Sequence, residues 1–227
     1  MEGSAENNRR NEYDELRTGF TAVVSHELRT PLARVMALLE SGSDPATILE
    51  RVRGEVEGIA ALVDDVLFLA ELESGRAVVA FGPTKALPEV ERVAAEHAER
   101  AERAGVKVEV AGDPEAELPL RPRMLAVVVE NLLENALQYS GPGSTFQISV
   151  ESDSTGTTLV AKDDGVGLEE SDLMRLFERF YRGDRARASR GTGLGLAIVK
   201  HIVTTAGGTV EAAGGTRGLE IRCHFAR

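Results

Sequence analysis

The stretch Phe20-Thr21-Ala22-Val23-Val24-Ser25-His26-Glu27-Leu28-Arg29-Thr30-Pro31-Leu32 decides how the first part of this chain folds. Around it Leu16, Phe20, Val24, Leu28, Pro31, Val35 and Leu38 recur at spacings of three and four, the signature of an amphipathic helix. At about 100° per residue His26 falls well off the centre of that stripe, so the helix offers solvent an imidazole beside the Glu27 carboxylate and the Thr30 hydroxyl. A neutral imidazole nitrogen is a competent nucleophile near pH 7. A carboxylate bonded to the other ring nitrogen fixes its tautomer and stabilises the cation that forms. A lone surface histidine carries no such meaning by itself, and the context comes from the rest of the chain.

Residues 1 to 12 are polar, weakly patterned and carry no chemistry. The first helix is expected from about Asn11 to Glu40, bent after His26 by Pro31, which removes one rung of the hydrogen-bond ladder. Ser41-Gly42-Ser43-Asp44-Pro45 reads as a stop and a new start, with Asp44 as N-cap and Pro45 at the first helical position. A second helix then runs to about Glu73, with Ile48, Val52, Val56, Ile59, Leu62 or Val63, Val66 and Leu69 on its apolar line. So short a loop makes the two helices antiparallel, and a lone hairpin has too little core to stand by itself. Residues 11–73 are therefore expected to pair with a second copy as a dimeric four-helix bundle.

Ser74-Gly75-Arg76 and Gly82-Pro83 punctuate a change of period, and residues 74–83 are expected to act as a hinge. An apolar alternation at Val78, Val79 and Phe81, a helix from Leu87 or Pro88 to Ala104, a strand from Val106 to Val110 and an acidic loop from Asp113 to Glu117 follow. This is α/β patterning, so residues 84–227 are expected to form a second domain. A helix from Arg123 to Tyr139 carries Asn131 and Asn135 four apart on one face. Two amides aimed at one point suit Mg²⁺ held jointly with phosphate oxygens, although paired asparagines are also ordinary surface residues.

Strands at Thr145 to Glu151 and Thr157 to Lys162 lead into Asp163-Asp164-Gly165-Val166-Gly167. A carboxylate at a strand end can accept an adenine amino proton, and the glycines let the backbone pass close to a base. Leu176-Phe177-Glu178-Arg179-Phe180-Tyr181-Arg182 and the basic Arg185, Arg187 and Arg190 precede Gly191-Thr192-Gly193-Leu194-Gly195-Leu196. Those glycines open a helix from Leu194 to Thr205, whose N-terminal N–H groups favour phosphate. A Rossmann reading fails because the glycine run does not follow a strand near the start of a βαβ unit, and a Walker A reading lacks Gly-Lys-Ser/Thr. The tail, Thr209 to Ala212 and Gly218 to Phe225, reads as a closing hairpin. His97, His201 and His224 read as structural or surface residues, with no Cys or His neighbour at ligand spacing.

In this order the motifs resemble the catalytic core of sensor histidine kinases. Ser25 to Leu32 is similar to the phosphoacceptor box, Glu130 to Ala136 to the N box, and Asp163 to Gly167 to the first glycine box. Leu176 to Arg182 with the basic segment is similar to the F box and ATP lid, and Gly191 to Leu196 to the second glycine box. The resemblance implies a dimerising helical hairpin followed by a Bergerat-type α/β sandwich that binds ATP and Mg²⁺. In such a protein His26 attacks the γ-phosphate, Glu27 orients it, and Thr30 positions water for dephosphorylation. Nucleotide contacts fall to Asn131, Asn135, Tyr139, Asp163, Gly165, Gly167, Arg179, Arg182, Gly191, Gly193, Leu194 and Gly195, with Asn135 and Asn131 at the metal. The phosphoryl group then passes to an aspartate of a response regulator receiver domain, in the cytosolic portion of a membrane-bound sensor. Gln138 stands where the family often has Lys, and Asp164 where Asn is commoner.

Bulk properties agree with such a domain. The 227 residues are 42% apolar and 28% charged, enough to bury a core. A net charge of −11 argues against nucleic acid or an anionic membrane as the main partner. No apolar run approaches a membrane span and no signal peptide opens the chain, so it is expected to be soluble as it stands. Cys223 is the single cysteine, which suits a reducing compartment. Two rival readings remain. An ATP hydrolase or clamp of the gyrase and MutL type needs a carboxylate to activate water where this helix has Asn131. A binding-only scaffold would have little use for an intact His26, Glu27, Asn135 and Asp163.

Overall fold

The computed structural model describes residues 2–42, 44–75, 82–183 and 191–227, with side chains from residue 21 onward. The chain divides into two compact units, residues 1–67 and 68–227. The alternation at Val78, Val79 and Phe81, most of the expected hinge, and Arg185, Arg187 and Arg190 lie outside the described residues. No helix among the described residues is long and apolar enough to cross a membrane.

The first unit is built on α1 (Glu2–Glu40) and the greater part of α2 (Pro45–Glu73), whose residues from Phe68 onward belong to the second unit. Helix α1 starts earlier than expected, since no proline or turn signal follows Gly3 to stop it, and it continues through Pro31. Asp44 caps α2 as the sequence suggested: the Thr47 N–H donates to its carboxylate at 3.1 Å, with Pro45 in the first turn. Arg34 of α1 reaches Glu55 of α2 at 3.9 Å, as an antiparallel hairpin requires. Val24, Leu28, Pro31, Val35 and Leu38 are half-buried, so the predicted stripe is the face α1 turns inward.

Helix α2 differs from its predicted line at one turn. Gly54 is buried and Glu55 half-buried, while Val56 is 52% exposed. Glu55 turns inward to meet Arg34. A second apolar row is left outside, with Leu32, Met36 and Leu39 on α1 and Leu49, Val56, Val63 and Leu67 on α2 all exposed.

The second unit is a two-layer α/β sandwich. Its five-stranded sheet has the order β2 (Lys107–Gly112), β4 (Thr145–Ser152), β5 (Gly156–Asp163), β7 (Leu219–Ala226), β6 (Thr209–Gly214). The β2–β4 pair is parallel and the others are antiparallel. Alternation shows which face is covered: Phe146, Ile148 and Val150 of β4 and Leu219, Ile221, Cys223 and Phe225 of β7 are buried, while Glu220, Arg222 and His224 are not. The covering layer holds α3 (Ala86–Glu96), α5 (Pro122–Tyr139) and α7 (Gly195–Thr205), which bury Val90 and Val93, Leu125 to Leu133 in part, and Ile198, Val199, Ile202 and Val203. Burial of each such side chain contributes about 1.5–3 kcal/mol, so this layer is the main source of the unit's stability.

Three departures from the expected elements have local causes. The helix expected to reach Ala104 is broken at His97 into α3 and α4 (Ala98–Ala104). His97 adopts φ −97° and ψ 2°, and its Nδ1 lies 3.0 Å from the Val93 carbonyl while Nε2 faces Glu134 at 3.5 Å. The acidic loop contains β3 (Glu117–Leu118), which pairs with β1 (Thr84–Lys85) as a two-residue ladder. A four-residue helix, α6 (Glu170–Leu173), follows the first glycine-rich turn.

Candidate functional site

In the first unit His26 stands on α1 with its side chain 72% exposed. Its Nδ1 lies 3.3 Å from Glu27 Oε1, so the carboxylate accepts from an Nδ1–H and leaves the Nε2 lone pair to solvent. Thr30 Oγ1 donates to the His26 carbonyl at 3.3 Å, one turn further along. His26, Arg29, Thr30, Ala33, Arg34 and Ala37 line an open groove of about 470 Å³, small-residue floor and basic edge together. The three residues singled out in this box thus form one outward-facing cluster.

The second unit gathers the other motifs around the C-terminal half of α5. Asn131 donates its amide N–H to the Val127 carbonyl at 2.8 Å, which turns Oδ1 toward Gly195 at the start of α7. A methyl group on Gly195 would stand 2.4 Å from that oxygen. One turn on, Asn135 is half-buried, as are Gln138 and Tyr139. Gly191 (φ 148°) passes so near Gln138 and the Tyr139 hydroxyl that a methyl group there would lie 3.0 Å from each. Gly193 is in equally close contact with Phe180 and Tyr181.

The Asp163 turn lies over the end of the same helix. A methyl group on Gly165 would meet the Ser140 carbonyl at 2.4 Å, and one on Gly167 the Gly215 carbonyl at 2.2 Å. Gly165 N–H donates to Asp163 Oδ1 at 2.8 Å. Burial nevertheless pushes the Asp163 carboxyl above its ordinary range, with Gly165, Ser140 and the Leu219 N–H pulling it down and Asp164 pushing it up. The Ser140 hydroxyl is buried beside this carboxylate. Asp164 is tied back to β4, accepting from Thr145 N–H at 2.6 Å.

Helix α7 has no side-chain N-cap, so its first N–H groups keep the capacity to meet an anion. Leu194 is fully buried and its N–H is turned to Thr192 Oγ1 at 3.2 Å. Arg179 and Arg182 are less centrally placed than the glycines. Arg179 pairs with Glu73 at the end of α2, and Arg182 is half-buried. Among the described residues no three His, Cys, Asp or Glu side chains gather at metal-binding distance. Amide oxygens on one helix face suit Mg²⁺, which usually takes only one or two ligands from protein and the rest from phosphate and water.

Sequence reasoning missed Ser140 and the turn at residues 215–218. That turn clamps the glycine box: Leu168 N–H donates to Gly215 O and Gly218 N–H to Gly165 O, both at 2.9 Å. The only signal for it was the Gly-Gly and Gly content of the last hairpin.

Residues 16–75 match the profile of the His Kinase A (phospho-acceptor) domain, and residues 121–227 that of the histidine kinase-, DNA gyrase B-, and HSP90-like ATPase. The chain belongs to the sensor histidine kinases. This sensor histidine kinase core is 38% identical over 206 residues to the probable sensor histidine kinase TcrY of Mycobacterium tuberculosis, a match covering 86% of this chain and 42% of TcrY. The chain thus spans about half or less of the length of the curated relatives it matches. The histidine kinase AdeS of Acinetobacter baumannii has a similar structure, with a TM-score of 0.71 at 26% identity over 88% of this chain and 97% of that one. Histidine kinase ThkA, solved in complex with response regulator protein TrrA, shares the fold at a TM-score of 0.77 and 20% identity, over 97% of this chain and 65% of that one.

Proposed function

We propose that this sensor histidine kinase core transfers the γ-phosphoryl group of ATP to Nε2 of His26 and then to an aspartate of a response regulator. The observation that carries the reading is an exposed imidazole whose Nδ1 faces Glu27 at 3.3 Å, on a domain that matches the phospho-acceptor profile. As Nε2 attacks, a nitrogen–phosphorus bond forms and the bond from the γ-phosphorus to its bridging oxygen breaks, with ADP leaving. Positive charge grows on the ring, and the Glu27 carboxylate stabilises it through Nδ1–H.

In this reading residues 11–73 are the dimerising phosphotransfer hairpin, 74–83 the hinge and 84–227 the ATP domain. The Asp163 carboxylate reads the adenine amino group. Asn131, Asn135, Tyr139 and the glycines of both boxes line the nucleotide, and Arg179 and Arg182 add positive charge. Mg²⁺ at Asn135 and Asn131 would supply charge neutralisation for the triphosphate. The outer apolar row of the hairpin is the seam for a second copy. Thr30 would position water for dephosphorylation of the regulator. A response regulator partner is supported by ThkA's complex with TrrA, and a cytosolic site beneath a membrane-bound sensor is what the resemblance of the motifs implies.

Incubating the chain and His26→Gln with γ-labelled ATP and Mg²⁺ tests this. Acid-labile label on wild type alone supports the kinase. Free phosphate without label supports an ATP hydrolase, and neither product supports a scaffold.

A further inference from the structure

We propose that Asp172 is a positioning residue for the nucleotide site, holding the second glycine box in place through Tyr181; this deepens the nucleotide reading above and rests on it. Asp172 lies in α6, outside every motif described so far. Its Oδ1 accepts a 2.5 Å hydrogen bond from the Tyr181 hydroxyl, a charge-assisted contact of the stronger kind. A methyl group on Gly183 would stand 2.8 Å from Oδ2, so the backbone beyond Tyr181 runs close over the same carboxylate. The Arg175 guanidinium sits over the Tyr181 ring, 4.2 Å from its centroid, and is itself held by Glu178 at 3.0 Å. The phenol is thus fixed at its hydroxyl and on its face.

What the phenol holds is the residue before it. Phe180 has φ 61°, the one positive value among described residues other than glycine, and an aromatic side chain seldom adopts it. Such a conformation persists when its surroundings over-determine it. It aims the Phe180 N–H at the Gly193 carbonyl, 2.8 Å away. Gly193 (φ 68°) then packs so closely that a methyl group on it would stand 2.9 Å from Phe180 Cα. Two residues further on, α7 begins with its uncapped N–H groups. Asp172 therefore acts on the phosphate-facing helix end through Tyr181, Phe180 and Gly193.

The test uses the full chain: calorimetric titration with ATP and Mg²⁺, thermal midpoints without nucleotide, and the KM for ATP in His26 labelling. Asp172→Ala and Tyr181→Phe should each weaken ATP binding about tenfold. The double variant should lose little more than either single one. Asp172→Asn, which keeps an acceptor oxygen, should recover most of the affinity. Nucleotide-free midpoints should stay near wild type, and KM should rise with kcat kept. Wild type that binds no ATP would overturn the nucleotide reading and this proposal with it. Wild type that binds, with both variants unchanged, additive, or weakened only as their midpoints fall, would overturn the role of Asp172 alone.

Discussion

Asn131 and Gly195 meet so closely that the amide oxygen occupies the space a side chain at residue 195 would need. The amide cannot simply swing away, because its nitrogen is bound to the Val127 carbonyl at 2.8 Å. One contact therefore mates the N box to the second glycine box, and it fixes where the N-terminus of α7 lies relative to α5. Gly195→Ala forces that pair apart. The expected loss is about 1–3 kcal/mol of stability, with ATP affinity lower by about tenfold or more. Chemical denaturation and nucleotide titration check the two effects separately.

Asp163 carries an electrostatic cost of burial. Burial raises its folded-state pKa above the ordinary 3.8, so the folded protein holds this proton more tightly than the unfolded chain does. The contribution to stability is then fullest in acid, below 3.8, and is lost as pH rises through the folded value. At neutral pH the buried carboxylate is a standing penalty. Asp163→Asn removes it and can keep the bond from Gly165 N–H. The variant should melt higher than wild type at pH 7, the gap should narrow toward about pH 4, and adenine nucleotide affinity should fall. Melts across that range with an ATP titration at pH 7 supply the check.

The exposed apolar row on the hairpin gives a prediction about assembly. Met36 and Val56 are 58% and 52% exposed in a single copy, although they sit on helices with a half-buried inner face of their own. A charge placed on each, Met36→Glu with Val56→Glu, should convert dimer to monomer while residues 84–227 keep their nucleotide affinity. Light scattering at several concentrations reads the first outcome, and titration the second.

Periodicity revealed much of this structure because it reports burial directly. The inner stripe of α1 could be read from spacing, the spans of β4 and β7 to within a residue, and the Asp44 cap from residue type. What spacing does not report is who approaches whom over long distances. Glu55 turns inward in place of Val56 to meet Arg34, and no period encodes that exchange. The break at His97 depends on a ring nitrogen reaching Val93 O, and the β1–β3 ladder joins residues far apart in sequence. In the candidate site, the glycines could be recognised as close approaches. Their partners, Ser140 under Gly165, Gly215 against Gly167 and Phe180 against Gly193, became visible only in three dimensions.

The most direct measurement is the position of the phosphoryl group on the protein. Nuclear magnetic resonance of the ¹⁵N-labelled, phosphorylated chain separates attachment at the two ring nitrogens. With Glu27 facing Nδ1, the phosphoryl group should sit on Nε2 of His26 and disappear in His26→Gln. A phosphoryl group on Nδ1, or on any residue other than His26, would contradict the account.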